Sequence, residues 1–400
     1  MRILLVAMAE SIHTARWVEM ISDQGWDIHL FPSTDNSYIH PNLKNVTVHT
    51  VFYKYYKDRH SSVRIKGIPV FLKTAVFIGN HIIKWFSPKY QAVKLTKLIK
   101  KINPDIIHSM EIQAAGYLTL EAKKKLLDCF PPWIVTNWGS DIYFFGRFPE
   151  HQEKITEVMN YCNVYSCECQ RDVELAKRFG FEGEILPVYP NTGGFDLELI
   201  SQLRQPGAIS DRRIIMLKGY QNWAGRALNG LRGLERCADL LSGYEIIIYS
   251  ANNDVEIAAE LFTKSTGIPT KIIPKYTPHT EILKLHGQAR ISIGISISDG
   301  ISTSLLEAIA MGSFPIQSNT SGADEWIVDG ETGILVPPED PEIIEQAIRK
   351  ALTDDELVNS AAQKNYELTK TRLDKSLLKL KAIEMYNKVV NDKGENNVEC

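Results

Sequence analysis

The sequence predicts an α/β protein with two Rossmann-like domains. Short apolar runs with strand periodicity alternate with amphipathic helical stretches along most of the chain. Its 400 residues exceed what one hydrophobic core of ordinary size organises. Turn residues and a polar stretch separate two such alternations. We therefore predict one domain over 1–205, a second over 206–375, and a C-terminal helix and tail over 376–400 that packs back on the first domain.

Composition and charge indicate a globular protein that does not bind nucleic acid in general. A hydrophobic fraction of 44% and a charged fraction of 23% are typical of a globular chain, and the net charge of −3 argues against general nucleic-acid binding. The six cysteines match no zinc-binding spacing, and unpaired thiols suggest a reducing, cytoplasmic compartment. The first apolar run is typical of a strand rather than a signal peptide, and no apolar run is long enough to span a membrane.

The N-terminal stretch predicts a β-α-β unit. Strand Arg2–Met8 is followed by a loop, a helix over His13–Asp23 and a strand over Trp26–Phe31. Because the loop has no Gly-x-Gly-x-x-Gly, a nicotinamide or flavin site is not expected there. Ser11 and His13 lie in the loop and first helical turn, where they either face a substrate or cap and solvate the helix.

The stretch 59–101 is basic and contains no Asp or Glu. Within it we predict a helix that begins at Pro69 and carries Phe71 to Phe86, and a second helix over Gln91–Ile102. Basic amphipathic helices with Trp and Phe suit an anionic membrane surface, whereas the alternative is a pair of packing helices with solvated lysines. The basic residues are Arg59, Arg64, Lys66, Lys73, Lys84, Lys89, Lys94, Lys97, Lys100 and Lys101.

Two further strands of the first domain, Ile106–His108 and Trp133–Thr136, end in polar residues. The carboxyl ends of parallel strands form the ligand side of such a sheet. Glu111 follows the first strand, and Trp138 and Asp141 follow the second. A proton-accepting role for His108 or Glu111 and a structural hydrogen bond are equally consistent with the sequence.

The second domain begins with strand Ile214–Leu217 and a Gly-containing basic loop. Lys218 and Arg226 bracket this loop at the carboxyl end of the strand. They either pair with a diphosphate or are solvated surface charges.

The stretch from Ala289 to Ile316 predicts a strand–loop–helix–strand unit. The strand pattern stops at Ser298, Asp299-Gly300 breaks it, and a helix then runs to Gly312. Helix N-termini at the carboxyl edge of a parallel sheet bind anions, so residues 299–307 are predicted to hold a phosphorylated ligand. Alternatively, Ser304 to Glu307 forms a capping box that stabilises the helix.

Over both of its halves, the chain resembles the nucleotide-sugar glycosyltransferases of family four (group 1). The family's Glu-x7-Glu motif is present as Asp299-x7-Glu307 within DGISTSLLEAIAMGSFPI, and 321–325 and 330–336 continue in the family's manner. The resemblance implies the GT-B fold, in which two Rossmann-like domains face a central cleft. It also implies transfer of a sugar with retention of anomeric configuration.

By this resemblance, Asp299 lies near the donor sugar and Glu307 accepts hydrogen bonds from the ribose hydroxyls. Lys218 and Arg226 neutralise the leaving diphosphate, and His13, His108 and Glu111 are candidate bases. Ser11, Trp138 and Asp141 are further candidates on the acceptor side. No Asp-x-Asp triplet occurs, which agrees with catalysis that requires no metal or other cofactor. The donor contacts come from the helix N-terminus, at Gly300, Ile301, Ser302, Thr303 and Ser304.

The preferred hypothesis is therefore transfer of a hexose from a UDP-sugar to a glycan or lipid-linked acceptor in surface polysaccharide biosynthesis. The basic stretch would place the enzyme on the inner face of the cytoplasmic membrane. The sequence departs from the family in having Asp299 for Glu, Trp138 for His, and a reversed order of the basic loop residues. Two alternatives are a nucleotide-sugar epimerase of the same fold and an inactive protein that binds a membrane surface.

Overall fold

A computed structural model describes residues 1–34, 38–54, 60–70, 89–320 and 322–395. The chain divides into two compact units, Met1–Gly193 together with the chain from Ser376 onward, and Gly194–Lys375. The boundary between the two units, at Gly193 and Gly194, therefore lies before the predicted boundary at 205. The reason is that the helix after Gly194 packs on the second unit, where the Arg204 guanidinium donates to the carbonyl oxygen of Ala310 at 2.7 Å.

Over its described residues, the first unit contains an eight-stranded parallel sheet in the order β4-β3-β2-β1-β5-β6-β7-β8. The order reverses between β1 and β5, so the loops after these two strands flank a topological switch point. The strands are β1 Arg2–Ala7, β2 Asp27–Pro32, β3 Thr47–Lys54, β4 Arg64–Val70, β5 Ile106–Met110, β6 Trp133–Thr136, β7 Val164–Ser166 and β8 Glu184–Ile185.

Helices cover both faces of this sheet, as a parallel sheet with apolar strands requires. They are α1 Ile12–Ile21, α2 Tyr90–Ile102, α3 Tyr117–Leu126, α4 Ser140–Tyr143, α5 Pro149–Tyr161, α6 Gln170–Arg178 and, at the end of the chain, α14 Lys375–Glu395. A short π-helix over Ile112–Gly116 precedes α3.

The C-terminal helix α14 belongs to the core of the first unit, as the sequence predicted. Its Leu378, Ala382 and Tyr386 are completely buried in a cluster with Trp17. The Tyr386 hydroxyl accepts a hydrogen bond from the Trp17 indole at 2.8 Å. The hydroxyl lies 2.6 Å from His108 Nδ1. A buried polar chain thus fixes the helix on the sheet.

The basic stretch is only partly as predicted. Strands β3 and β4 were not predicted, and Pro69 does not begin a helix but lies in β4, opposite Tyr53. Proline is tolerated there because β4 is the edge strand of the sheet. The predicted helix from Phe71 to Phe86 lies outside the described residues.

Helix α2 confirms the second predicted helix of the basic stretch. Leu95, Leu98 and Ile99 are buried, whereas Val93 is exposed and its neighbour Ala92 is buried. Lys94 is half-buried, and burial lowers the pKa of its ammonium group to about 8. Within the described ranges, none of the helices combines the length and hydropathy needed to cross a bilayer.

The second unit contains a six-stranded parallel sheet in the order β11-β10-β9-β12-β13-β14. Its switch point lies between β9 and β12. The strands are β9 Ile214–Lys218, β10 Glu245–Tyr249, β11 Thr270–Ile272, β12 Ala289–Gly294, β13 Phe314–Ser318 and β14 Ile334–Val336. The helices are α7 Leu197–Leu203, α8 Ala227–Arg236, α9 Asn253–Thr266, α10 His279–Gln288, α11 Thr303–Met311, α12 Pro341–Thr353 and α13 Asp355–Arg372.

Strand β12 is shorter than its alternating pattern predicts. It ends at Gly294, and Ser296 instead pairs in antiparallel fashion with Gly225 of the loop after β9. The Arg226 amide donates to the Ile295 carbonyl oxygen at 2.9 Å. The two loops that flank the switch point are therefore bonded directly to each other.

Candidate active site

The switch point of the second unit gathers most of the residues that the motif singled out. Lys218 ends β9, and Asp299 and Ser302 follow β12, its neighbour in the sheet. Lys218 Nζ lies 3.9 Å from Asp299 Oδ2 and donates to Ser302 Oγ at 3.3 Å. The Lys218 side chain is 17% exposed and that of Asp299 36% exposed, so the pair is accessible to a ligand.

The loop after β9 approaches its neighbours so closely that it needs glycine. A Cβ at Gly225 would lie 2.2 Å from the Tyr220 carbonyl oxygen, and one at Gly219 would lie 2.8 Å from the Ala251 Cα. A larger residue at either position would push the loop away. The Tyr220 ring lies under the Lys218 ammonium group at 4.8 Å, and this cation–π contact helps to hold the ammonium group in the loop.

Arg226, the second predicted cation, is engaged elsewhere. Its Nε donates to Glu339 Oε1 at 2.5 Å. Its Nη1 donates to the carbonyl oxygens of Asn222 and Gly225 at 3.2 and 2.9 Å. The structure thus gives Arg226 a carboxylate partner of its own, and its predicted role at a diphosphate stays a prediction.

Helix α11 begins at the switch point, and the side chain of its N-cap residue makes no capping hydrogen bond. Its N-cap residue is Ser302, which is buried in extended conformation. Ser302 Oγ is instead 2.8 Å from Ser304 Oγ. The predicted contact residues 300–304 thus form the turn and first residues of this helix, where the free amides and the helix dipole favour an anion. The Gly300 amide is an exception, because it donates to Asp299 Oδ1 at 3.0 Å.

Glu307 is not part of a capping box, so that alternative is wrong. A capping box needs the N-cap at Ser304, whereas the helix begins one residue after Ser302 and Glu307 lies in its interior. The carboxylate is 8% exposed, and its Oε1 lies 2.7 Å from His279 Nε2. Helix stability alone does not account for a buried carboxylate on this helix.

The switch point of the first unit brings together several of the acceptor-side candidates. Ser11 caps α1 by accepting a hydrogen bond from the His13 amide at 3.1 Å. The His13 ring meets the edge of Trp138 at a centroid distance of 5.6 Å. Trp138 belongs to the loop after β6, so the loops after β1 and β6 meet through an imidazole and an indole.

Two buried carboxylates, Glu111 and Asp141, support the same edge of the first sheet. Asp141 Oδ2 accepts hydrogen bonds from the Trp138 and Ile112 amides at 2.8 and 2.9 Å. Glu111 accepts from the Ala114 amide at 2.9 Å and from the Ala115 amide. Both side chains therefore hold loop backbone in place.

Burial is the main influence on the pKa values of these two carboxyl groups. Burial raises the pKa of Glu111 to about 7, although its backbone hydrogen bonds oppose the shift. Burial and the Glu111 charge raise the pKa of Asp141 well above its usual value. Glu111 also has φ of +82°, a conformation that costs energy for a residue other than glycine.

His108 does not face this edge of the sheet. It is completely buried, with Nε2 2.6 Å from Thr136 Oγ1 and Nδ1 bonded to Tyr386 as described above. Burial lowers its pKa to about 3, so the ring is neutral at ordinary pH. These contacts favour the structural hydrogen bond over a proton-accepting role.

The sequence reasoning missed the residues that surround Glu307. His279 and His286 both come from α10, and Tyr249 ends β10. The seven-residue spacing of the two histidines was the available signal, since it places them on one face of a helix. In the described part of the chain, no group of three or more His, Cys, Asp or Glu side chains forms a metal site.

Two family models match the chain. The model described as Glycosyl transferases group 1 matches residues 259–368, which include Asp299 and Glu307. The model described as Glycosyl transferase 4-like matches residues 2–74 and 82–165. These matches show that the chain is a glycosyltransferase. The 4-like model matches the first unit of this glycosyltransferase, and the group 1 model matches the second unit.

Solved structures show that this glycosyltransferase has the GT-B fold. Sucrose-phosphate synthase from Thermosynechococcus elongatus is 15% identical with a TM-score of 0.67, and the match covers 98% of this chain and 99% of that one. HepE of Anabaena, determined with UDP-glucose, is 13% identical with a TM-score of 0.67 over 97% and 100% of the two chains. Trehalose 6-phosphate synthase from Burkholderia multivorans is 11% identical with a TM-score of 0.70 over 100% and 99%. A search of curated proteins gave no match.

Proposed function

We propose that this group 1 glycosyltransferase transfers a hexose from a UDP-sugar to a hydroxyl of a glycan or lipid-linked glycan, with retention of anomeric configuration. The observation that carries the proposal is the arrangement at the switch point of the second unit. There a lysine, a carboxylate and a helix N-terminus lie within one network, from Lys218 through Ser302 to Ser304. A uridine donor is supported by the structure of HepE, which has the same fold and was determined with UDP-glucose.

The proposed roles follow from the charges that such a reaction develops. As the sugar leaves, negative charge grows on the diphosphate, and Lys218 with the α11 amides stabilises it electrostatically. Asp299 contacts the donor sugar, and Glu307 accepts hydrogen bonds from the ribose. A lysine and backbone amides supply the charge that a metal ion would supply in other transferases, so the proposed reaction requires no cofactor.

The first unit supplies the proposed acceptor site at its own switch point. His13 and Trp138 form its accessible part, and Ser11, Glu111 and Asp141 fix their loops. A side-chain base is not required, because the leaving diphosphate itself can take the acceptor proton. His13 is the candidate base that this geometry favours, since His108 and Glu111 are occupied in structural hydrogen bonds.

We also propose that the enzyme works on the inner face of the cytoplasmic membrane in surface polysaccharide biosynthesis. Helix α2 supports this proposal, because Lys97, Lys100 and Lys101 are exposed on it and it carries no acidic residue. A cationic helix surface is attracted to anionic lipid by about 1 kcal/mol per basic residue. A lipid-linked acceptor would be presented at that surface.

The central test measures UDP binding by calorimetry for the native chain and Glu307→Gln. Loss of a charged hydrogen-bond acceptor for the ribose costs about 1.5–3 kcal/mol, or roughly ten- to hundredfold in Kd. The matched control is Glu256→Gln, whose carboxyl is exposed on α9. Equal affinity of Glu307→Gln and the control would show that Glu307 does not bind the ribose.

Product analysis separates this proposal from the two alternatives. Release of UDP that depends on an added glycan acceptor excludes an epimerase, which needs no acceptor. Sugar transfer that is abolished by Asp299→Asn excludes an inactive binding protein. UDP-sugar interconversion without acceptor, or binding without turnover, would contradict the proposed transferase.

A further inference from the structure

The carboxylate of Glu307 is held from one side by two histidines of a single helix. Glu307 Oε1 lies 2.7 Å from His279 Nε2, and Oε2 lies 3.8 Å from His286 Nε2. His279 is the first residue of α10 and His286 lies two turns further along. The two oxygens of one carboxyl group are thus placed against two rings with a fixed separation.

The inner ring, His286, is itself rigidly held. It is completely buried, and its Nδ1 lies 2.8 Å from Ser292 Oγ, which is 2.7 Å from Ser313 Oγ. The Tyr249 ring meets it edge-on at a centroid distance of 5.5 Å. Strands β10 and β12 therefore determine the orientation of His286, and through it one edge of the Glu307 carboxylate.

The outer ring, His279, is 42% exposed. It contacts the carboxylate from the side that solvent reaches, and a ligand at Glu307 would lie beside it. An ionised carboxylate has about four lone-pair sites, so a hydrogen bond to His279 leaves sites for further donors. The hydrogen bond to His279 therefore orients the carboxylate while it uses one of these sites.

We infer that His279 and His286 are positioning residues that orient Glu307 for the 2′,3′-diol of the nucleotide, and so make the donor site selective for ribonucleotides. The inference rests on the proposed function, in which Glu307 accepts the ribose hydroxyls. A diol binds best to a carboxylate whose two oxygens are already aligned, because no rotamer freedom is then lost on binding.

The test measures the Kd of UDP and the Kd of 2′,3′-dideoxy-UDP by calorimetry. The Kd of dideoxy-UDP divided by the Kd of UDP is the ratio that isolates the contribution of the diol. We expect His279→Leu to lower this ratio by about fivefold or more, with little change in the affinity for dideoxy-UDP. His279→Gln retains a side-chain donor and is expected to recover most of the ratio. The matched control is Thr280→Leu, an exposed neighbour on the same turn of α10.

The outcomes separate this inference from the proposed function. If Glu307→Gln leaves the ratio unchanged, the ribose does not bind at Glu307 and the proposed function loses its donor site. If Glu307→Gln removes the preference for UDP but His279→Leu does not, only the positioning role is refuted. Equal weakening of both nucleotides by His279→Leu also overturns it, since that result indicates a structural or phosphate-binding role.

Discussion

Replacement of Lys218 tests the electrostatic core of the proposed donor site. Lys218→Met keeps the length and apolar stem of the side chain but removes the ammonium charge. At about 4 Å and an effective dielectric constant of about 20, one pair of unit charges interacts by about 4 kcal/mol. Lys218 is partly solvated and already has Asp299 as a partner, so we reduce this to about 2 kcal/mol. The expected weakening of UDP binding is about thirtyfold.

A second variant checks that the effect is electrostatic. Without Lys218, the Asp299 carboxylate is left to repel a diphosphate, so Asp299→Asn in the Lys218→Met background should recover part of the lost affinity. The assay is UDP binding by calorimetry at low and high salt, because the contribution of Lys218 should shrink as salt screens it. Lys264→Met, which removes an exposed lysine paired with Glu260, is the control. Equal affinities for Lys218→Met and Lys264→Met would refute the reasoning.

Three further predictions concern the first unit. Tyr386→Phe removes the hydroxyl that contacts Trp17 and His108. Each of these two buried groups then loses a hydrogen-bond partner at a cost of about 1–3 kcal/mol in stability, so the urea midpoint of this unit should fall. Glu111→Gln should stabilise the protein more at pH 8 than at pH 5. The raised pKa of Glu111 means that its contribution to stability is lost as the pH rises from 4.5 to about 7, whereas glutamine has no charge to bury. Reversal of Lys97, Lys100 and Lys101 to Glu should reduce flotation with phosphatidylglycerol vesicles about hundredfold or more, at about 1 kcal/mol per lysine lost.

Each of these predictions has a control of the same chemistry. Tyr161→Phe and Glu150→Gln alter exposed groups of the first unit, and Lys264, Lys271 and Lys275 are exposed lysines of the second unit for a matched reversal. A midpoint for Tyr386→Phe equal to that of Tyr161→Phe would contradict the buried hydrogen-bond chain. A stability difference for Glu111→Gln that does not vary with pH would contradict the raised pKa. Equal flotation of the two triple variants would contradict a membrane role for α2.

Local periodicity was enough to predict most of the secondary structure and the position of the donor motif. Strand β6 has the predicted bounds, and α11 begins close to where Asp299-Gly300 breaks the strand pattern. Strands β3 and β4 were missed because they lie in a basic stretch whose Pro69 favoured a helix start. An edge strand exposes one side, so its hydrophobic signal is weak and proline costs it little.

Partners distant in the sequence could not be predicted in the same way. His108 lies at the end of a predicted strand, yet its ring forms a hydrogen bond with Tyr386, 278 residues away in the sequence. Glu307 looked like a capping residue because Ser304 lies three positions before it, and only the placement of α10 shows that His279 contacts it. Such pairings depend on which helices cover a sheet, information that periodicity does not contain.

The same distinction bears on the cationic pair that the sequence predicted for the diphosphate. Lys218 and Arg226 are equivalent in the sequence, since both bracket one loop. In the folded unit, Glu339 from a loop more than a hundred residues away pairs with the Arg226 guanidinium, and Arg226 Nη1 donates to loop carbonyl oxygens. To reach a diphosphate, Arg226 would have to give up a charge-assisted hydrogen bond worth about 1.5–3 kcal/mol. Lys218 is held by a longer contact with Asp299, a hydroxyl and the face of the Tyr220 ring, so it gives up less, and we therefore expect it to be the cation that meets the donor.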